Sequence, residues 1–410
     1  MLELYIWLIS FVSLYVSVFW IIVMNIQDHD RYPSLTRYPF ITIAVPAYNE
    51  EKTITGTLQS LLQIDYPHER LEILILNDGS KDRTEKIVHQ FITNNPRNPL
   101  RLITKKNSGK AASLNRALKE ARGEYFVVCD ADSIADPTIL RHMLCYFTND
   151  TIGAVISAIK VQRVNTVMEK IQRVEYIFSS FVRRLMSTIG TLHTTHGVLS
   201  VFRTSVLQKV GGFDEHNLTE DFEVAMKLRY HGYAVRMCNE GWNYTTVPST
   251  FRSLWVQRVR WFRGFISNNL RYKDMVLKKK YGLLGRFQIP LELFTLLLIF
   301  VSLGFFTYHF FRAGIQFYHL IHILKWDAFD FTTPTFKQIF LDINWRIFFP
   351  STIALCAGLY LYIRAHQTLQ ESWKFYPAFL FYLFFYPMIR SFQWLHALYL
   401  ELAGAHKRWR

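Results

Sequence analysis

The chain has 410 residues, half of them apolar and 16% aromatic, with a formal net charge of +15. Nucleic acid is not the partner this charge implies: ten Lys and Arg face one acid, Asp274, between Arg252 and Arg286, beside a long apolar block. Positive charge flanking a membrane span marks the cytoplasmic side and suits anionic lipid. The four cysteines (Cys129, Cys145, Cys238, Cys356) lack paired spacing and indicate neither a zinc site nor a disulfide framework.

Tyr5 to Ile26 is a run of 22 residues without a charge, long enough to cross a bilayer. No basic segment precedes it and no small-residue cleavage site follows, so it reads as a retained transmembrane helix rather than a secretory signal. Tyr38 to Gly285 holds no comparable run and reads as water-soluble.

Within that stretch strands and helices alternate. "ITIAVPAYNE" (Ile41 to Glu50) is a β-branched run ended by a turn, and "TITGTLQSLLQI" follows with helical periodicity. "LEILILNDGSKDRT" leads into the helix "EKIVHQFI"; then come "LRLITKK", the helix "AASLNRALKEA" and "EYFVVCDADS". This alternation predicts an α/β fold with a parallel sheet and helices on both faces, whose ligands bind at the carboxyl ends of strands. Asn49-Glu50, Asp78 and Asp130 to Asp132 stand at three such ends and are expected to meet in one crevice. Neither G-x-G-x-x-G nor G-x-x-x-x-G-K-[ST] occurs, which sets aside dinucleotide-dependent dehydrogenases and P-loop NTPases.

Several strand-end residues suit a nucleotide diphosphate. Asp78 in "LNDGSKD" can accept hydrogen bonds from a base or ribose, or simply make an Asp-Gly turn. Lys110 in "NSGKAASLNRAL" stands near a helix start, where charge and free amides suit a diphosphate. Asp130 and Asp132 are two carboxylates one residue apart, able to bind a divalent metal whose shell diphosphate oxygens complete. Such a D-x-D also arises by chance; its place after "EYFVV" gives it weight.

Further on, apolar residues from Val164 to Leu185 form a helical stripe with Arg163, Lys170, Arg173, Arg183 and Arg184 around it. The stripe fits a membrane-interface helix or core packing. In "LTEDFEVAMKLRYHGY" (Leu218 to Tyr233), Glu220 and Asp221 open a helix directly after Thr219. They favour the positive end of the helix dipole with Thr219 as N-cap, or one of them does chemistry. "WVQRVRWFRG" (Trp255 to Gly264) contains Gln257, Arg260 and Trp261 as Q-x-x-R-W, with Arg258 and Arg263 beside them. An indole offers a flat face to a sugar ring and guanidiniums offer a fork to phosphate, on a helix that also suits a membrane interface.

Three apolar blocks trail: Ile289 to Phe311, about Ile347 to Ile363, and about Tyr376 to Leu400. Arg390 lies inside the last, where it faces a cavity or partner, or snorkels from a short helix ending near Pro387.

"VPAYNE", "NDGSKD", "NSGKAASLN", "CDADS", "TED" and "QRVRW", in this order between apolar blocks, resemble the processive glycosyltransferases of family 2, which make cellulose, chitin, hyaluronan and poly-N-acetylglucosamine. The single leading span, the length and "VGGFDEHNLTEDFEVAMKLRYHGY" look most like the bacterial poly-β-1,6-N-acetylglucosamine synthases. The resemblance implies a GT-A type nucleotide-sugar-binding domain between transmembrane helices, one before and about three after. Its expected parts are a leading helix and linker (1–37), a catalytic domain (38–250) including the amphipathic helix 163–186, basic interfacial helices (251–286) and a membrane region (287–410).

The implied activity is inverting transfer of N-acetylglucosamine from UDP-N-acetylglucosamine to a growing β-linked polymer, which the membrane helices conduct outward. The resemblance makes Asp221 the general base, gives Mg²⁺ or Mn²⁺ to Asp130 and Asp132, and gives uridine to Asp78 with the Tyr48 to Glu50 turn. It places Lys110 and Glu220 in the substrate site, Gln257, Arg258 and Arg260 at the diphosphate, and Trp261 against the acceptor sugar. The expected partners are a UDP-sugar donor, a polysaccharide acceptor, the cell membrane with the catalytic domain facing the cytoplasm, and room for a small accessory membrane subunit. Thr195-His196-Gly197 departs from the family pattern, where many relatives have a small hydroxyl or Cys followed by Gly.

Three rivals stand beside this reading. One is a synthase of another β-glycan (hyaluronan, chitin or cellulose-like). The second is a non-processive transferase acting on a lipid, which the Q-x-x-R-W platform disfavours. The third is a transport or scaffold protein with a dead transferase domain, which Asp78, Asp130, Asp132 and Asp221 disfavour. Three trailing spans would put the terminal "HKRWR" outside, against the positive-inside tendency, unless a re-entrant segment around Gly314 to Leu324 reverses the chain.

Overall fold

The computed structural model describes residues 2–26, 34–325, 344–371 and 377–405. In chain order the elements are α1 (Leu2–Met24), β1 (Ile41–Ala47), α2 (Ile54–Leu62), β2 (Leu71–Asn77), α3 (Thr84–Asn94), β3 (Leu100–Thr104), α4 (Lys110–Glu120), β4 (Tyr125–Val128) and β5 (Ser133–Ile134). There follow α5 (Ile139–Cys145), β6 (Ile152–Val161), α6 (Val167–Thr188), β7 (Ser200–Arg203), α7 (Thr204–Lys209), α8 (Glu220–Tyr230), β8 (Ala234–Thr245) and α9 (Phe251–Arg271). The last are α10 (Ile289–Leu324), α11 (Trp345–Thr368), α12 (Pro377–Phe384) and α13 (Tyr386–Leu402). The chain divides into two compact units: Met1–Ile26 with Leu291–Gln367, and Gln27–Pro290 with Thr368–Arg410.

The first unit contains the long apolar helices. Glu3–Met24, Leu284–Leu324 and Trp345–Thr368 are long and apolar enough to cross a membrane. Large apolar side chains such as Leu4, Phe11, Phe310 and Ile323 are exposed on them, as suits a helix surrounded by lipid. Tyr5 stacks on Phe305 with ring centroids 4.3 Å apart, and the Ser10 and Ser351 hydroxyls lie 3.0 Å apart. The re-entrant segment expected around Gly314 to Leu324 is instead the continuous end of α10.

The third trailing block does not form one span. It is divided into α12 and α13, of 8 and 17 residues, both shorter than the ~20 residues a bilayer requires. Pro387 explains the break: it lacks an N–H and is tolerated in the first turn of a helix, where it sits in α13. Two helices of spanning length therefore follow the sheet among the described residues, against the three expected. "HKRWR" lies outside the described residues.

The second unit is built on an eight-stranded sheet of order β3-β2-β1-β4-β7-β6-β8-β5. Its first half is parallel, as the alternation predicts, and β1, β2 and β4 are buried along their whole length because helices cover both faces. The second half is mixed, a correction to the wholly parallel sheet: β7 runs antiparallel to β4 and β6, β5 runs antiparallel to β8, and β8 runs parallel to β6. Ser200, the first residue of β7, pairs with Val128, the last of β4. The residues just before β7 are thereby delivered to the carboxyl end of β4.

The stripe on α6 is covered by protein. The helix begins later than the stripe suggests, at a capping box in which Thr166 Oγ1 accepts the Glu169 N–H and Glu169 accepts the Thr166 N–H. Ile171, Val174, Ile177, Phe181 and Leu185 are buried, and Ile171 belongs to an apolar cluster with Leu254, Ala378 and Tyr386, flanked by Met168, Phe381 and Tyr382. Of the two readings left open, core packing is the one observed. The covering residues come from α9, α12 and α13.

Candidate active site

β1, β2 and β4 run parallel, so their carboxyl ends lie along one edge of the sheet. At the end of β2, Asp78 is buried and already fully engaged. Its Oδ1 accepts the Ser108 N–H at 2.9 Å and the Lys105 ammonium, and its Oδ2 accepts the Gly109 N–H at 2.8 Å. Asp78 thus anchors the loop that leads into α4 and Lys110, a role beyond the plain Asp-Gly turn. At the end of β1, Tyr48 is partly buried. The Glu50 N–H donates to Thr84 Oγ1 at 2.8 Å, and its carboxylate accepts the Thr53 hydroxyl at 2.7 Å. Asn49 sits at φ 58°, which Asn tolerates, and its N–H donates to Ser80 Oγ at 3.1 Å. The turns after β1 and β2 are therefore locked together.

Lys110 joins the next two motifs. Its Nζ lies 2.6 Å from Asp130 Oδ1 and 3.1 Å from Glu220 Oε1. Burial disfavours its charge, but Asp130, Glu220 and Asp221 more than offset this and hold the ammonium more firmly protonated than usual. Glu220 is only 2% exposed. Burial, and next the charge of Glu220, push Asp221 up to about 6. Its Oδ1 accepts the Phe222 N–H at 2.8 Å.

The capping explanation for this acid pair loses its anchor. Thr219 occupies the N-cap position of α8, but its side chain makes no capping hydrogen bond among the described residues. Its Oγ1 instead donates to Asn217 Oδ1 at 3.3 Å and accepts from Asn268 Nδ2 at 3.2 Å, which ties the start of α8 to α9.

The Thr195-His196-Gly197 turn is the part of the site whose role the sequence left open. Because β7 is antiparallel to β4, the Gly197 carbonyl accepts the Asp130 N–H at 2.8 Å, and Thr195 Oγ1 donates to the Asp221 carbonyl at 2.6 Å. A small cavity is lined by Lys110, all three turn residues, Glu220 and Asp221. His196 is 8% exposed and donates from Nε2 to the Ser157 carbonyl at 3.0 Å, while its Nδ1 has no partner among the described residues. Burial, then the charge of Arg183, push the imidazole down to about 3, so the ring is neutral.

On α9 the Q-x-x-R-W residues divide. Arg260 Nη1 reaches the Leu218 carbonyl at 3.5 Å, and its charge acts on Asp221. Trp261 and Gln257 are partly exposed. Arg258 does not stand at a diphosphate site as expected: it is 1% exposed and its Nη2 lies 2.8 Å from Glu175 on α6. A guanidinium enclosed by a carboxylate and an indole is not available to a ligand. The opposite face of α9 is covered by α13, with Phe262 stacked on Trp394 at 4.0 Å and Arg263 Nε 2.7 Å from Glu401.

The donor set fits a divalent cation. Burial, and then the charge of Asp130, raise the Asp132 carboxyl above its ordinary range, so a cation between the two carboxylates would relieve a real penalty. Thr246 Oγ1 donates to Asp132 Oδ2 at 2.6 Å and orients it. Among the described residues no group of three or more His, Cys, Asp or Glu could hold a metal, so water or ligand oxygens would complete the shell, as magnesium and manganese permit.

Glu175, Thr246 and Gly264 were not predicted as part of the site. Gly264 approaches Thr219 so closely that a Cβ would fall 2.2 Å from its hydroxyl. Only Gly264, beside the Q-x-x-R-W run, had a local signal, as a glycine within a helical pattern.

Residues 42–211 match the model of the family described as Glycosyl transferase family 2. The poly-beta-1,6-N-acetyl-D-glucosamine synthase of Staphylococcus epidermidis is 35% identical over 226 residues, 55% of this chain and 54% of that one. The enzyme of that name from Staphylococcus aureus (strain COL) is 33% identical over 267 residues, 62% of this chain and 64% of that one. The chain thus spans 54 and 64% of the lengths of these two relatives. Among solved structures, the mannosyltransferase PcManGT from Pyrobaculum calidifontis in complex with GDP-Man and Mn²⁺ is similar over 99% of this chain and 100% of its own, at a TM-score of 0.60 and 19% identity. The shared architecture is the GT-A type fold, with apolar helices at the N-terminus and in the C-terminal region.

Proposed function

We propose, for a chain that carries a glycosyl transferase family 2 domain at residues 42–211, that it is a membrane-embedded, inverting and processive glycosyltransferase. It transfers N-acetylglucosamine from UDP-N-acetylglucosamine to a growing β-linked polymer, poly-β-1,6-N-acetylglucosamine. The observation that carries this reading is the single cavity in which Lys110, Glu220 and Asp221 meet beside Asp130. It gathers a base, a cation and one carboxylate of the D-x-D from three distant motifs.

An acceptor hydroxyl is a poor nucleophile until a positioned carboxylate removes its proton. Asp221, raised to about 6, is ionised near neutral pH yet basic enough for that task. As the hydroxyl oxygen attacks the anomeric carbon, its proton passes to the Asp221 carboxylate. The bond to the diphosphate breaks on the opposite side, which inverts an α-linked donor to a β-linkage. Lys110 and Arg260 supply fixed positive charge beside the reacting groups. Asp130 and Asp132 would hold Mg²⁺ or Mn²⁺, which when bound neutralises charge developing on the nucleotide diphosphate. Tyr48, Glu50 and Asp78 form the nucleoside end, Asp78 acting mainly through the loop it anchors. Trp261, with one face under Arg258, offers its other face to the acceptor sugar.

Chain parity supports the expected sidedness. Gln27–Pro290 and Thr368–Arg410 belong to one compact unit, and among the described residues two helices of spanning length separate them. An even number of crossings returns the chain to the face it left. The basic cluster from Arg252 to Arg286 supports the cytoplasm as that face.

The test is incorporation of labelled N-acetylglucosamine by the purified full chain in detergent with Mn²⁺ and UDP-N-acetylglucosamine. Wild type is expected to form acid-precipitable polymer and Asp221→Asn none, with UDP binding by the variant retained. Polymer formation by Asp221→Asn at the wild-type rate overturns the assignment of the base.

A further inference from the structure

Glu175 lies in the middle of α6, a helix read from the sequence by its apolar stripe. Its carboxylate is the junction of three segments far apart in the chain. Oε2 lies 2.8 Å from Nη2 of Arg258 on α9 and accepts the Tyr386 hydroxyl of α13 at 2.9 Å. Oε1 faces Nη1 of Arg390, also on α13, at 3.6 Å. The two readings of Arg390 thereby resolve in favour of a partner. Burial alone would raise the Glu175 carboxyl, but the charges of Arg258 and Arg390, with the hydrogen bonds from Arg258 and Tyr386, together hold it below the usual range.

Arg258 in turn touches two residues expected at the substrate. Its Nη1 donates to Gln257 Oε1 at 2.5 Å, and its guanidinium lies over the Trp261 ring at 4.2 Å. Its Nε has no partner among the described residues, so Glu175 and Gln257 supply its hydrogen-bond acceptors there. A buried ion pair rarely gains net stability over an apolar pair of the same volume, because desolvation offsets the attraction. What such a pair does fix is direction. A carboxylate at this point holds the guanidinium over the ring of Trp261, a residue that stays partly exposed.

We propose that Glu175 is a positioning residue: acting through Arg258 it fixes the Gln257 and Trp261 platform, and through Tyr386 and Arg390 it makes α13 a structural part of the acceptor site. The proposal rests on the reading of Trp261 as the acceptor platform. It explains why a segment that follows two spans returns to pack on the catalytic unit: α13 carries two of the three groups that hold Glu175.

The test uses the full chain in lipid nanodiscs with Mn²⁺, comparing Glu175→Gln, Glu175→Asp and Tyr386→Phe with wild type and Trp261→Ala. Elongation and donor hydrolysis are measured separately, with the acceptor supplied as an N-acetylglucosamine oligosaccharide. Glu175→Gln is expected to raise the acceptor KM roughly five- to tenfold, the scale of one lost aromatic contact. Donor KM should move less, hydrolysis should fall less than elongation, and Glu175→Asp should restore part of the loss. Adding Glu175→Gln to Trp261→Ala should cost little more than Trp261→Ala alone, because both act on one platform.

A wild-type acceptor KM in Glu175→Gln, or equal loss of both activities in a variant that melts like wild type, overturns the proposal. Should wild type make no polymer, the functional reading fails, and the positioning claim is still decided by 5-fluorotryptophan NMR. The Trp261 resonance, assigned with Trp261→Phe, should shift in Glu175→Gln; an unmoved resonance overturns it.

Discussion

Gly197 lies so close to Asp130 that a Cβ at this position would fall 2.2 Å from one carboxylate oxygen and 2.5 Å from the other, and 2.5 Å from Lys110 Nζ. Only a residue without a side chain leaves the Lys110–Asp130 pair where it stands. Gly197→Ala is therefore expected to displace both groups, cost ~1–3 kcal/mol of stability as overpacking does, and weaken Mn²⁺-dependent UDP binding at least about tenfold, a difference of ~1.4 kcal/mol. Calorimetry of UDP with and without Mn²⁺ checks this, with Asp132→Ala as the companion variant. Wild-type affinity in both would remove the metal from these residues.

The raised Asp221 sets a pH limb. A base works as the carboxylate, so the transfer rate should fall as pH drops through about 6, by roughly tenfold for each unit below. The same shift has a stability consequence. The folded state holds this proton more tightly than the unfolded chain, so stability falls as pH rises from the ordinary carboxyl range to about 6. Asp221→Asn should then melt higher than wild type at pH 7 while losing transfer. A rate flat down to pH 5 would deny Asp221 the role of base.

Gly264 and Thr219 couple α9 to the start of α8. A Cβ at Gly264 would fall 2.2 Å from the Thr219 hydroxyl, which Asn217 and Asn268 already hold. Gly264→Ala is expected to shift the Glu220-Asp221 turn and cut kcat by at least about tenfold, ~1.4 kcal/mol in the barrier, with a smaller effect on UDP affinity. If UDP affinity falls as far as kcat, the glycine serves folding rather than the base.

Trp261→Ala should harm elongation more than donor hydrolysis, since the lost face belongs to the acceptor. One stacked ring contributes ~1 kcal/mol, so acceptor affinity should drop about fivefold. Equal loss of both activities would make this a structural tryptophan.

What the sequence made legible was local. The buried runs of β1, β2 and β4, and the polar turns that end them, lie within ten residues of their own signals, so the strand-end acids could be placed without knowing the pairing. The antiparallel β7 could not be read: its partner β4 lies some 70 residues earlier, and nothing in "VLSVFR" states direction. The cover of α6 comes from Ala378 and Tyr386, about 200 residues on, so its stripe looked equally suited to lipid. Arg258 was placed with its neighbours in "QRVRW" because its partner Glu175 sits on another helix. One local signal was overlooked and another only half used. The T-x-x-E box at Thr166 marks the start of α6, and Pro387 marks the break that divides the last apolar block.

The most direct measurement is the chemistry of the product. The full chain, purified in lipid with Mn²⁺ and UDP-N-acetylglucosamine, should yield long chains that resist a β-1,4-specific chitinase and are cleaved by a β-1,6-specific hydrolase. A retained acceptor beside Asp221 favours repeated addition over release, since its local concentration stays high between cycles. Chitinase-sensitive chains would contradict the linkage, and a single sugar on an extractable lipid would contradict processivity itself.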